Sequence, residues 1–382
     1  MPSQVRYSLF VVALAFSAGP LLAQPTTGCD ELCTAAAALV KRFDLREGGA
    51  PVRERKDWRV PEKIVVADVP LADTLRGVLP KSIEVVGVPG LRNFAGMEKV
   101  VGDADILIGL CTPEIVKRGV KLTWVQLLNA GADSCTTIPA VKERGLPVTN
   151  LARIQGPHMA EHALALILGL ARALPQYLAE QQAGAFTRGF RELRAERPIE
   201  LEGKTLLVVG LGGIGTEVAK RAAAFGMHVI ATRNSRREGP DFVEYVGLSD
   251  EYRTLAARAD VIVNTTPLTP ETRGMFDAKF FEGAKAGAFF INIGRGESVV
   301  TDGLVAALKS GHLGGAGLDV TDPEPLPAGH PLWSMPNVII TPHIATSSDY
   351  RSDRTVVLVV ENVRRYLRGD RLLSVVDLAA GY

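Results

Sequence analysis

The sequence predicts an α/β fold with two parallel β-sheets, each covered by helices on both faces. Three observations lead there. Short apolar runs of strand length occur at 63–68 (KIVVAD), 83–88 (IEVVGV), 105–110 (DILIGL), 123–128 (TWVQLL) and 147–151. A second series follows at 205–209, 228–232, 260–264, 288–293, 315–320 and 338–341. Helix-length segments separate most of these runs, and continuous apolar strands alternating with helices read as parallel sheets buried on both sides. Third, the chain has 382 residues, 47% of them hydrophobic. At roughly 150 residues per domain that length supplies two domains or three, and the apolar content excludes overall disorder.

Composition narrows the function classes. Lys and Arg number 43 against 42 Asp and Glu, a formal charge of +1. Such a balance offers no general electrostatic reason to bind nucleic acid or an anionic membrane. Four cysteines are too few for a disulfide scaffold.

Taken in order along the chain, residues 1–23 come first. Arg6 precedes an apolar run at 7–19 (YSLFVVALAFSAG), followed by Pro20-Leu21-Leu22-Ala23. A basic start, a short apolar stretch and a small residue at the end read as a secretory signal peptide, although Leu21 stands where a small residue is commoner. The expected destination is the periplasm or the exterior; an uncleaved N-terminal anchor and a cytoplasmic location are the alternatives. Residues 24–60 are polar and basic, with Arg53, Arg55, Lys56 and Arg59, and read as a spacer or a surface helix. Cys29 and Cys33 are either paired or two free thiols. Cys111 and Cys135, in apolar surroundings, read as core residues.

The stretch 158–174 (HMAEHALALILGLARAL) is apolar nearly all round, so it predicts a long buried helix. Its start, His158-Met159-Ala160-Glu161-His162, also fits H-x-x-E-H, a zinc-peptidase pattern. The apolar helix around it and the lack of a third ligand weigh against a metal, and hydrogen bonding at a domain junction is the favoured role; no metal is expected. Further on, 301–310 reads as a helix closed by Gly311.

The strand at 205–209 (TLLVV) runs into Gly210-Leu211-Gly212-Gly213-Ile214-Gly215, and a helix-like segment follows to Gly226. G-x-G-x-x-G between a strand and a helix is a dinucleotide-binding signal. Gly210 allows the tight turn, Gly212 lets a pyrophosphate approach the backbone, and Gly215 lets helix and strand pack closely. The anion then sits at the positive N-terminus of the helix. At the end of the next strand, an NAD site places a carboxylate for the ribose 2′-hydroxyl. Here the stretch is Thr232-Arg233-Asn234-Ser235-Arg236-Arg237, with no carboxylate before Glu238. Arginine there pairs with a 2′-phosphate. NADP(H) is therefore expected over NAD(H), which stays open, and a solvated basic turn is the plain alternative.

Three later stretches carry candidate chemistry. Asn292-Ile293-Gly294-Arg295-Gly296 supplies a cation, Gly317-Leu318-Asp319-Val320-Thr321-Asp322-Pro323-Glu324-Pro325 supplies carboxylates, and Thr341-Pro342-His343-Ile344-Ala345 supplies an imidazole. All three belong at carboxyl ends of strands, where such sheets bind ligands. Together with Asn129-Ala130-Gly131-Ala132-Asp133, the stretch 142–150 (KERGLPVTN), Ala160-Glu161-His162-Ala163-Leu164 and Pro267-Leu268-Thr269, these motifs resemble the D-isomer-specific 2-hydroxyacid dehydrogenase family from about Lys63 onward. The resemblance implies a Rossmann-type cofactor domain inserted in a flavodoxin-like substrate lobe built from both chain ends, and a homodimer. It divides the chain into a substrate lobe at 61–153 and 344–382 and a cofactor domain at 154–343.

Carried over, Arg295 matches the arginine that binds the substrate's carboxylate and carbonyl, His343 the general acid/base, and Glu324 its partner. Ala130, Gly131 and Ala132 match the backbone cradle for the substrate carboxylate. Thr266, Pro267, Ile293 and Gly294 fall among the expected cofactor contacts with Arg233, Asn234 and Arg236, and Asp319 lies near the nicotinamide carboxamide. A 2-oxo acid is an anion and needs a fixed cation. Its reduction places charge on oxygen, which an imidazolium can protonate, and a carboxylate on that ring raises its basicity and fixes its orientation. The expected function is interconversion of a small 2-oxo acid and its D-2-hydroxy acid; the alternative is a non-catalytic, cofactor-sensing binding protein of the same fold. Trp333 either covers the substrate or fills a core gap. Export and NADP(H) use fit together poorly, because the cofactor is scarce outside the cytoplasm.

Overall fold

A computed structural model describes residues 30–185 and 198–382. The expected leader, residues 1–23, and Cys29 lie outside the described residues, so the leader and the Cys29–Cys33 question are not addressed by the fold.

Two parallel sheets form, one of five and one of seven strands. In chain order the first contains β1 (Lys63–Val66), β2 (Glu84–Gly87), β3 (Ile106–Gly109), β4 (Trp124–Leu127) and β5 (Val148–Thr149). The second contains β6 (Thr205–Val209), β7 (His228–Arg233), β8 (Tyr245–Leu248), β9 (Val261–Asn264), β10 (Phe289–Asn292), β11 (Gly315–Leu318) and β12 (Val338–Ile340). Their spatial orders are β2-β1-β3-β4-β5 and β12-β11-β10-β9-β6-β7-β8. The first is the flavodoxin-like order. The second is the dinucleotide-binding order with one further strand, and its order reverses between β6 and β9.

Burial explains why these residues are strands. Every residue of β3, β4, β9, β10 and β11 is buried. Alternate side chains feed two separate cores: Val65, Leu107 and Val125 face one side of the first sheet, while Ile64, Ile106 and Trp124 face the other. The second sheet divides in the same way, with Val208, Val263 and Ile291 on one side and Leu207, Ile262 and Phe290 on the other. A period of two with both faces apolar has this outcome.

The chain returns to its first lobe at the end. In the helix Arg351–Arg368, Val359, Val360, Val363 and Tyr366 join the first sheet's core. The Tyr366 ring stacks on Trp124 at 5.4 Å between centroids, and its hydroxyl donates to Thr123 Oγ1 at 2.6 Å. Leu372–Leu373 then pairs antiparallel with Glu47–Gly48.

Residues 30–60 correct the spacer expectation. The helix Asp30–Phe43 packs on the C-terminal helix, burying Leu39 and Phe43 with Leu358 and Leu373. The segment looked polar because one face alone is apolar, which a surface helix shares with a packed one.

The long buried helix runs over Gly156–Ala171, three residues short of its expected end. Pro175 starts a separate helix, Leu174–Gln182, at 71° to the first, since proline lacks the donor a continuing helix needs. The helix Gly156–Ala171 lies directly on β11: a Cβ on Gly317 would stand 2.8 Å from Leu166 Cβ, a separation only glycine permits. The strand β8 is not among the expected runs; it is a short edge strand in which only Val246 and Gly247 are buried. Cys111 and Cys135 are core residues, as expected, and they are also bonded to each other. The bond joins the loop after β3 to the short helix Asp133–Thr136.

Candidate active site

The turn after β6 has the geometry its glycines predict. Gly210 lies at φ 98°, and a side chain on it would meet the Thr265 backbone at 3.2 Å. A side chain on Gly215 would run into the Gly210 carbonyl. The space beside Gly212 is open for 4 Å, and Gly212 caps the helix Gly213–Ala224, whose free N–H groups favour an anion. Thr265, at the end of β9, donates from Oγ1 to the Gly210 carbonyl at 2.7 Å and so ties the two strand ends at the order reversal.

A cavity of about 860 Å³ opens over this turn. Gly210, Gly212, Gly213, Arg233, Asn234, Arg236, Thr266 and Pro267 line it. Ile214, Gly215, Ile293, Gly294 and Asp319 do not: Gly215, Ile293, Gly294 and Asp319 are buried and Ile214 packs on the core beneath the turn. Their part is to shape the floor, as at Gly294, where a Cβ would stand 2.9 Å from the Thr266 carbonyl. Arg233 Nε is buried without a hydrogen-bond partner among the described residues. Burial first, then the neighbouring Arg236, Arg153 and Arg46 charges, lower the Arg233 pKa. An open glycine turn, a helix N-terminus and an unsatisfied guanidinium nitrogen fit a phosphorylated dinucleotide. Asn234 Nδ2 donates to the Tyr382 hydroxyl at 2.8 Å.

Arg295 follows β10 and is fixed by a buried amide network. Asn264 on β9 donates to Asn292 Oδ1 at 2.9 Å and Ser298 Oγ at 2.8 Å. Asn292 Nδ2 and Ser298 Oγ both donate to the Arg295 carbonyl, at 3.0 and 2.6 Å. The guanidinium reaches the other lobe, where Nη2 donates to Asp133 Oδ1 at 2.8 Å and Nε donates to the same oxygen at 3.2 Å. It also lies against Gly131, where any side chain would overlap it. Asn150 Nδ2 holds the Ala130 carbonyl at 2.7 Å. The structure therefore brings Ala130, Gly131, Ala132 and Arg295 together. Asp133, whose role the sequence reading did not single out, is the residue that joins them.

His343 sits at φ 54°, with its Nδ1 2.7 Å from Glu324 Oε1. The turn that presents it is held by Asp319. That buried carboxylate accepts from Thr341 Oγ1 at 2.7 Å and from the Ile344 and Ala345 amides at 2.9 Å each, and His162 Nε2 stands 3.4 Å away. Burial alone would raise the Asp319 pKa, but the hydrogen bonds from His162, Thr341 and the two amides outweigh it and bring it down to about 2. With both oxygens so occupied, Asp319 supports the His343 turn. Arg295, Glu324 and His343 follow β10, β11 and β12, three adjacent strands, and none of the three lines the large cavity.

The two histidines of the H-x-x-E-H stretch serve different surroundings. His162 bonds at the His343 turn, with Nε2 2.9 Å from Thr341 Oγ1. Among the described residues no three His, Cys, Asp or Glu side chains cluster as a metal site. Trp333 is 54% exposed and donates to the Pro327 carbonyl, so it fills no core gap.

Fold and site together define a two-lobed α/β dinucleotide-binding protein with an Arg, a Glu–His pair and a glycine turn at one set of strand ends. Residues 164–345 match the family described as D-isomer specific 2-hydroxyacid dehydrogenase, NAD binding domain. The chain is 34% identical to the glyoxylate reductase/hydroxypyruvate reductase of Mus musculus, over 87% of this chain and 95% of that one. It is 33% identical to the D-3-phosphoglycerate dehydrogenase of Methanocaldococcus jannaschii over 83% of this chain, but spans only 59% of that longer protein. Among solved structures, the NADPH-dependent glyoxylate/hydroxypyruvate reductase of Sinorhizobium meliloti, in complex with NADP and sulfate, superimposes with a TM-score of 0.69 at 30% identity, covering 84% of this chain and all of that one. The chain belongs to the D-isomer-specific 2-hydroxyacid dehydrogenase family.

His158 gives this site region a measurable acid response. It is buried, with neither ring nitrogen hydrogen-bonded among the described residues, and burial first, then Arg354 and Arg351, lower its pKa to about 4 from 6.5. Its folded pKa lies below the unfolded one, so the unfolded chain binds more protons between them. Stability is whole above pH 6.5 and falls toward pH 4, by about 3 kcal/mol for this group. Urea unfolding of His158→Phe should show that much less loss between pH 7 and 4 than the parent; parallel profiles would refute it.

Proposed function

We propose that this protein is an NADP(H)-preferring reductase that interconverts small 2-oxo acids and their D-2-hydroxy acids. The observation that carries this reading is the placement of Arg295, Glu324 and His343 after three neighbouring strands of the sheet whose glycine turn opens the arginine-walled cavity. When bound, the reduced nicotinamide dinucleotide supplies a hydride to the ketone carbon. The protein's own groups do the rest. Arg295, with Gly131 and its neighbours, binds the substrate carboxylate, and Asp133 orients the guanidinium. His343, with Nδ1 turned to Glu324, has Nε2 left to donate a proton to the oxygen that gains charge. Arg233 and Arg236 replace the carboxylate of an NAD-type site and favour a 2′-phosphate. The NADPH-dependent relative from Sinorhizobium meliloti supports both halves of the reading.

Steady-state assays with glyoxylate and hydroxypyruvate test it. His343→Ala should lower kcat by about 10²–10⁴-fold, the usual worth of a positioned acid, and Arg295→Ala should lower kcat/KM by at least about 10²-fold. NADPH affinity, followed by fluorescence, should stay within about twofold of wild type in both. Wild-type rates in His343→Ala would remove the residue from the chemistry, and absence of NADPH oxidation with every 2-oxo acid tried would favour the cofactor-sensing alternative.

We also propose export and dimerisation. The Cys111–Cys135 bond suits an oxidising compartment. Residues 1–30 fused to a reporter active only after export should direct it outward; retention inside the cell would end that reading. On the helix Leu174–Gln182, Leu174, Tyr177 and Leu178 are exposed, an apolar face suited to a second copy. Sedimentation should give twice the 40.9 kDa chain mass; a monomer at micromolar concentration would contradict it.

A further inference from the structure

The large cavity has a second wall that the dinucleotide motif does not account for. The cavity is also lined by residues from the N-terminal segment and from the turn before the interlobe helix, among them Asp44, Arg46 and Arg153. They form one unit. Asp44 Oδ2 accepts from Arg46 Nη2 at 3.0 Å and Nε at 3.2 Å, and from Arg153 Nη1 at 3.0 Å. Two guanidiniums thus share one carboxylate, which leaves a net positive charge facing the cavity.

The backbone is specialised at both ends of this unit. Asp44 lies at φ 46° and Arg153 at φ 70°, conformations that side-chain-bearing residues hold only where the surroundings fix them. The Arg153 stem presses on the phosphate turn: a Cβ on Gly213 would stand 2.7 Å from Arg153 Cγ. From the other lobe Arg233 presents a buried Nε with no partner among the described residues. Arg46 and Arg153 lie close enough to Arg233 to depress its proton affinity, as Arg236 also does. Like charges gathered in this way repel one another, and a polyanion between them removes the repulsion.

The turn's own amides and the helix N-terminus serve a pyrophosphate. Arg46, Arg153 and Arg236 line the same cavity as Arg233, which stands at the end of the second strand, the position that reads the ribose 2′ substituent. We propose that Arg46 and Arg153, held side by side by Asp44, bind the ribose 2′-phosphate from the substrate lobe while Arg233 and Arg236 meet it from the cofactor domain. Selection for the phosphorylated dinucleotide is then shared across the cleft. This rests on the NADP(H) reading above and extends it to residues outside the dinucleotide motif.

Calorimetric titration of the full chain with 2′,5′-ADP and with 5′-AMP tests the assignment without turnover. Wild type should bind 2′,5′-ADP the more tightly. Arg46→Ala/Arg153→Ala should weaken 2′,5′-ADP at least tenfold and leave 5′-AMP within twofold, which also shows that the site is still folded. Arg46→Lys/Arg153→Lys should recover part of the loss, because the charge returns without the fork. Equal weakening of both ligands, or no weakening of either, overturns the proposal. If Arg233→Ala/Arg236→Ala abolishes the preference while the Arg46/Arg153 variant keeps it, the NADP(H) reading stands and this one falls. If wild type shows no preference for 2′,5′-ADP, the NADP(H) reading itself fails.

Discussion

The buried Asp319 carboxylate is the interaction on which the site's geometry rests. An ionised carboxylate out of water is costly unless each oxygen is well supplied with donors. Here those donors are the Thr341 hydroxyl, the Ile344 and Ala345 amides and, at longer range, His162. The Thr341 hydroxyl precedes His343 and the two amides follow it, so satisfying the charge and shaping the turn are one event. His162 belongs to the helix between the lobes, which makes the same carboxylate a tie from the reactive turn to the domain junction. The left-handed backbone at His343 is held by this supply of donors.

Arg295 is organised by a parallel device with neutral groups. The Asn264, Asn292 and Ser298 side chains run across β9 and β10 and end on the Arg295 carbonyl. The backbone is therefore rigid while the guanidinium projects across the cleft to Asp133. An ion pair between Arg295 and Asp133 thus spans the cleft. One lobe supplies the cation and the other the carboxylate and backbone it lies against, so the arrangement exists only when the two meet.

Much of this was legible in the sequence because it is written locally. Apolar runs of four to six residues, G-x-G-x-x-G after a strand, and Arg, Glu and His after successive strands are short-range signals, and all fall where the two sheets put ligands. What was not legible depends on distant partners. The helix Asp30–Phe43 looked like a spacer because the surface that buries Phe43 comes from Leu358 and Leu373. The Cys111–Cys135 bond joins residues 24 apart in sequence, and apolar surroundings suit a thiol as well as a bridge. Asp133 gained its meaning only once Arg295 lay beside it, and Arg46 and Arg153 only once the N-terminal segment faced the cavity. Pro175 was a local signal overlooked: it ends the buried helix early. Asp319 was legible as a residue after a strand, but its bonds to Thr341, Ile344 and Ala345 depend on how the following turn folds back.

The stacking of Tyr366 on Trp124 makes the first lobe depend on the far end of the chain. The inner domain draws all of its strands from residues 205–340, whereas one core of the outer lobe is shared between the helix Val69–Val78 and the last helix. A cut before residue 351 would strip part of the cover from β1 and β3 and leave every strand of the inner sheet in place. Damage at the tail of the chain is therefore felt first in the lobe that begins it.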